Sequence, residues 1–177
     1  MLRCMFDTNV FNRILDGAIA LQALTGRLVA YATHIQRDEI NNTKNTERRA
    51  ALARVFGDVV TDFIPDSFVF DVSGLSEARL GGKRVVPTSS AVWGVSRWDK
   101  ANWTADDNLY SVLKADLDKL NGSKSNNTHD ALIAEASVKQ GYTLVTDDGD
   151  LVSVTRRYGG ECLSVAELLR CISPTAT

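Results

Sequence analysis

Short apolar runs that pass directly into polar helix starts recur along this chain, and they constrain its fold more than any other feature. Met1–Phe6 leads into Asp7-Thr8-Asn9, and Leu28–Thr33 (LVAYAT) leads into HIQRDEI, which carries His34, Asp38 and Glu39. Tyr142–Thr146 (YTLVT) leads into Asp147–Arg157, and Glu161–Ser164 into Val165–Cys171. Phe68–Val72 (FVFDV) reads as a further strand, with a short helix over Leu75–Leu80 beyond it. Each apolar run suits a buried strand, and the polar residues that follow are favoured at helix N-termini. Strands that are apolar throughout and alternate with helices predict an α/β fold. It would have three layers (α/β/α), with a central, mostly parallel sheet of about five strands covered by helices on both faces.

The remaining segments fit that frame. The polar stretch Asn41–Thr46 (NNTKNT) breaks the helix that begins at His34, and Glu47–Phe56 resumes helical spacing. Asp106–Leu120 has apolar residues at Leu109, Val112, Leu113, Leu117 and Leu120, a helical pattern that ends in the soft linker NGSKSNN. Asn127–Lys139 is expected to be a helix capped by Asn127 and stopped at Gly141. Between Gly81 and Ala105 the character changes: the Gly81-Gly82 pair, Pro87, a Ser/Thr cluster and Trp93, Trp98 and Trp103 predict an inserted or elaborated loop. The 177 residues, 44% of them hydrophobic, are sized for a single domain with a real core.

Charge and cysteine content exclude several classes. A net charge of −2 argues against a broad basic face gripping nucleic acid, so any such contact must be local. Cys4, Cys162 and Cys171 are odd in number and widely spaced, which fits neither a disulfide framework nor a zinc site; they read as reduced thiols. No apolar run approaches the roughly 20 residues that span a bilayer, and the opening MLRCMFDTNVF has no signal-peptide pattern. A cytoplasmic location without membrane association is the expectation.

The chemistry lies in the acids. Asp7, Glu39 and the Asp147-Asp148 pair follow three different predicted strands, and Asp130 opens the helix before another, so all can converge on one edge of the sheet. Several uncompensated carboxylates at one place repel one another unless a cation neutralises them. An all-oxygen set without a His₂ or Cys partner set suits Mg²⁺ or Mn²⁺ better than zinc. The reaction such a site implies is phosphodiester hydrolysis.

Three segments carry a family resemblance. MFDTNVF resembles the opening strand and DTN motif of PIN domains, THIQRDEI resembles their second acidic motif, and NTHDALIAEASVKQGYTLVTDDGDL resembles their closing acidic pair. The resemblance implies a PIN-like fold and metal-dependent endoribonuclease activity. It places Asp7, Glu39, Asp130 and Asp148 at the metal-ligand positions, holding Mg²⁺ or Mn²⁺, with Thr146 and Asp148 matching the family's T-x-D. Asn9, Thr146 and Asp147 would be auxiliary. The implied partners are an RNA substrate, an antitoxin protein covering the active site if the chain is the toxin of a toxin-antitoxin pair, and a second copy in a homodimer. Residues 81–105 have no counterpart in the compact VapC-like toxins.

Each residue also has a plainer reading. Asp7, Asp130 and Asp147 or Asp148 stand at predicted helix starts, where an acid caps free N–H groups without catalysing anything. Asp38 competes with Glu39, and Asp147 or Asp150 with Asp148. Thr8 and Asn9 either orient a ligand carboxylate or satisfy a first helical turn. His34 and His129, each within five residues of a proposed ligand, could contact substrate phosphate, or could be solvated helix-start residues. The tryptophans, beside Lys83, Arg84, Arg97 and Lys100, could stack bases; more often such residues anchor a loop to the core or bind a protein. Two other classes compete with the nuclease. One is a noncatalytic PIN-like module that binds RNA or protein; the other is a phosphoryl-transfer domain using Asp7 as acceptor, which lacks the usual D-x-D start.

Overall fold

The computed structural model describes residues 1–60, 85–96 and 108–173. Strand β1 (Leu2–Phe6) pairs in parallel with β2 (Leu28–Thr33) on one side and β4 (Thr143–Val145) on the other. β3 (Val85–Val86) extends the sheet beyond β2 and β5 (Cys162–Leu163) extends it beyond β4, giving the all-parallel order β3-β2-β1-β4-β5. The expected α/β sheet with helices on both faces is therefore what forms. Phe68–Val72 and Leu75–Leu80 lie outside the described residues.

Alternation along β1 divides the interior into two layers. Cys4 and Phe6 point into one core with Val10, Phe11 and Ile14 of α1 (Thr8–Leu15), Leu52 and Phe56 of α4 (Thr46–Val59), and Leu168 of α8 (Val165–Ile172). Met5 points into the other, with Leu113 and Leu117 of α5 (Leu109–Asn121), Leu132 and Ile133 of α6 (Asn127–Gln140), and Leu151 and Val154 of α7 (Gly149–Arg157). In α1 the buried residues recur at helical spacing, and Phe11 packs its ring 5.2 Å from that of Phe56. Among the described residues no helix is long and apolar enough to cross a membrane.

Three features depart from the sequence reading. The segment read as a loop over 81–105 contains an edge strand, since Val85 and Val86 pair with Ala32 and Thr33. A strand of two residues carries no periodicity by which to find it. Trp93 is 95% exposed and so anchors nothing to the core, while Trp98, Trp103, Lys83, Arg84, Arg97 and Lys100 lie outside the described residues. Asn127 is not the cap of α6. Asn126 holds that position without a side-chain capping bond to the helix N–H groups, and Asn127, fully buried, donates its amide to Asp118 Oδ1 (2.7 Å) and Asn121 Oδ1 (2.8 Å). Tertiary contact with α5 overrides the local capping preference.

Where α7 returns to β5, the chain passes too close to its neighbours to carry a side chain. A Cβ on Gly160 would stand 2.5 Å from Thr155 Cγ2 and 2.8 Å from Val138 Cγ2. Both neighbours are branched at Cβ and cannot swing their methyls away freely. Gly160→Ala is expected to destabilise the protein by about 1–3 kcal/mol, the usual range for overpacking, as read by urea denaturation. An unchanged midpoint would show that α7 and α6 separate easily.

Candidate functional site

In the strand order, β2 and β3 lie to one side of β1 and β4 and β5 to the other, so the chain reverses direction between β1 and β4. Two neighbouring parallel strands whose connections leave in opposite directions open a crevice at their carboxyl ends. Asp7 follows β1 there, and Thr146, Asp147 and Asp148 follow β4.

Asp7 is 6% exposed and caps α1, its Oδ1 accepting from the Thr8 N–H at 2.6 Å. Its Oδ2 accepts from Asn9 Nδ2 (2.6 Å) and Thr146 Oγ1 (2.7 Å). Thr146 Oγ1 in turn accepts from the Asp148 N–H at 3.0 Å, tying the β4 turn to Asp7. Asp148 caps α7 through Oδ1, which receives the N–H groups of Asp150 and Leu151.

Glu39 arrives on α3 (His34–Asn41), whose direction a capping box sets. Thr33 Oγ1 accepts from the Ile35 N–H, while Gln36 Oε1 accepts from the Thr33 N–H and hydroxyl. Gln36 is fully buried and also donates Nε2 to the Phe6 carbonyl at 2.8 Å, which fixes α3 against the end of β1. The sequence reading does not single Gln36 out, although Thr33-x-x-Gln36 is a capping-box spacing. Glu39 Oε2 accepts from the Thr8 hydroxyl, and Oε1 lies 2.8 Å from His129 Nδ1. Asp130, next to His129 in the first turn of α6, accepts from Asn126 Nδ2 at 3.1 Å.

Asp7, Glu39, Asp130 and Asp148 therefore come from four different elements and sense one another. Burial pushes the Asp7 carboxyl up to about 6; hydrogen bonds from Thr146 and Thr8 oppose this, and the charges of Glu39 and Asp148 add to it. Asp130 is pushed up to about 7, first by burial and then by Asp7, Glu39 and Asp148, with His129 as a partial offset. Like charges in a site shielded from water disfavour ionisation in this way. The hydrogen bond to Glu39 holds His129 above its usual range.

The auxiliary residues separate. Asn9 and Thr146 are in direct contact with Asp7. Asp147 faces elsewhere, its Oδ2 3.2 Å from Arg13 Nη2 and its Oδ1 accepting from the Val165 N–H at 3.1 Å. Asp38 lies 3.8 Å from Arg37 Nε. His34 is fully buried, so it is neither a solvated helix-start residue nor placed to meet a substrate from solvent. His129, with a third of its side chain exposed, remains at the crevice.

Among the described residues no three Asp, Glu, His or Cys side chains stand at metal-ligating separations as arranged. The carboxylate oxygens are turned toward the hydroxyl, amide, imidazole and helix N–H donors just described. Even so, the donor set is the hard oxygen type that Mg²⁺ or Mn²⁺ takes. An ionised Asp7 only accepts, so the Asn9 amide must present nitrogen to it. That leaves Asn9 Oδ1 buried without a hydrogen-bond partner, an unmet acceptor in the cluster that a cation or its bound water would satisfy.

No family model matches this chain, and no curated protein matches it. Among solved structures it is similar to the crystal structure of VapBC2 from Rickettsia felis bound to a DNA fragment from their promoter, with 14% identity and a TM-score of 0.47. The match covers 92% of this chain and 98% of that one. A likeness at this level is no basis for transferring residues or activity.

Proposed function

We propose that this protein is a metal-dependent endoribonuclease in which Asp7, Glu39, Asp130 and Asp148 hold Mg²⁺ or Mn²⁺ beside the crevice between β1 and β4. The supporting observation is that burial, with the charges of neighbouring acids adding to it, lifts Asp7 and Asp130 toward neutrality, a cost that a bound cation would relieve. An acidic cluster serving only as helix caps has no reason to bring Glu39, which caps nothing, near enough for its charge to act on Asp7 and Asp130. The choice of RNA rests on the sequence resemblance, and so does an antitoxin as protein partner.

A divalent cation bound there would activate a water and neutralise charge building on the phosphate. The chain's own part is positioning: Thr146 and Asn9 orient Asp7, Thr8 orients Glu39, and the helix N–H groups hold Asp148. Such partners fix ligand geometry before metal arrives.

The test is incubation of the purified protein with mixed single-stranded RNA and DNA in Mg²⁺, Mn²⁺ or EDTA, alongside Mn²⁺ titration calorimetry. Cleavage of RNA with either metal and none with EDTA is expected. Absence of both cleavage and metal binding would overturn the proposal in favour of the noncatalytic binding module.

A further inference from the structure

Glu39 is held from two sides by helices other than its own. The Thr8 hydroxyl of α1 donates to one oxygen, and His129 of α6 lies 2.8 Å from the other. Resting on the metal-site reading above, we infer that His129 is a positioning residue for Glu39, its Nδ1–H fixing the plane of that carboxylate toward the cluster.

A glutamate has three side-chain torsions, and ordering such a chain costs rotamer entropy. A single hydrogen bond from Thr8 leaves the carboxylate free to turn about the bonded oxygen. A second donor at the other oxygen, supplied from the opposite wall, removes that rotation before any cation enters. An ionised carboxylate only accepts, so the hydrogen must sit on Nδ1. Each Glu39 oxygen still keeps a second lone pair for a cation. His129 precedes Asp130 in α6, so one helical turn sets both a proposed ligand and the brace of another.

The plain alternative is that the contact merely staples α3 to α6, and Mn²⁺ affinity separates the two. Titration calorimetry would compare wild type with His129→Ala, His129→Asn and His129→Gln, alongside the melting temperature of each metal-free protein. The amide nitrogen of His129→Asn lies near the place of Nδ1, whereas that of His129→Gln reaches toward Nε2. Loss of an outer-shell partner typically weakens metal binding 10–100-fold, so His129→Ala is expected to fall by about that factor. His129→Asn should regain most of the affinity and His129→Gln should not. Unchanged Mn²⁺ affinity in His129→Ala, or equal rescue by Asn and Gln, overturns the inference and leaves the staple. If His129→Ala does not fold, the Asn and Gln pair decides alone. A wild type that binds no Mn²⁺ overturns the metal-site reading itself, and this inference with it. Failure confined to the variants, with wild type binding and cleaving, overturns only the role of His129.

Discussion

Asp7→Asn is expected to lower metal-dependent RNA cleavage by more than about a hundredfold while the protein stays folded. Loss of an outer-shell partner already costs 10–100-fold, and Asp7 is proposed as a ligand itself. It also lies at the centre of the network. Thr8 N–H, Asn9 Nδ2 and Thr146 Oγ1 all donate to its carboxylate within 2.7 Å. The substitution removes the charge but keeps the shape and one carbonyl oxygen, which can continue to accept the Thr8 N–H as the cap of α1. Its amide group can donate to Thr146 Oγ1, because a hydroxyl also accepts. The Asn9 amide can turn so that its Oδ1, now without a donor, accepts from the new amide. The turned Asn9 nitrogen then points where Oδ1 had no partner and the Thr146 hydroxyl hydrogen loses its acceptor, at a cost of about 1–3 kcal/mol each that relief of the buried charge offsets in part. The circular dichroism spectrum should hold while initial rates in Mg²⁺ and Mn²⁺ collapse. Wild-type rates in this variant would remove Asp7 from the chemistry.

The closeness of Asp7 and Asp130 is legible because one follows a strand and the other lies in the first turn of a helix, and parallel sheets gather such positions on one edge, whereas Glu39 reaches them from the last turn of α3. The different directions of Asp147 and Asp148 are not legible. Arg13 and the Val165 N–H hold Asp147, and neither lies near it in sequence. His34 escapes for a related reason. A helix start reads as solvated, yet here it is covered, and burial is a tertiary property that local patterns do not carry. The His129–Glu39 contact joins residues 90 apart, so it emerges only once α3 and α6 are placed. By contrast the Gly141 stop is readable, since its positive φ of 64° is the left-handed conformation that ends helices at glycine.

Asp130→Asn should reverse its rank against wild type when metal is added. Carboxyls in unfolded chains titrate near 3.9, whereas Asp7 and Asp130 in the folded protein titrate at about 6 and about 7. Between these values the folded state holds more protons than the unfolded one, so metal-free stability is full in acid and falls as pH rises through about 4 to 7. A tenfold difference in acid strength between folded and unfolded chain is worth about 1.36 kcal/mol. Because Asp130 is only partly buried, solvent screening reduces its share to about 1–2 kcal/mol. Removing its charge should therefore raise the metal-free melting temperature at pH 8 by about 2–8 °C for a chain of this size and leave it unchanged at pH 4. Mn²⁺ at a hundred times its Kd adds about 2.7 kcal/mol to a protein that binds it only when folded. Wild type should gain that increment, and the variant, lacking one proposed ligand, should gain little and fall below it. Differential scanning calorimetry at pH 4 and 8, with and without Mn²⁺, gives all four comparisons. A variant less stable than wild type at pH 8 without metal would mean that the Asp130 charge is already compensated. The burial and repulsion that argue for a cation would then lose their largest case.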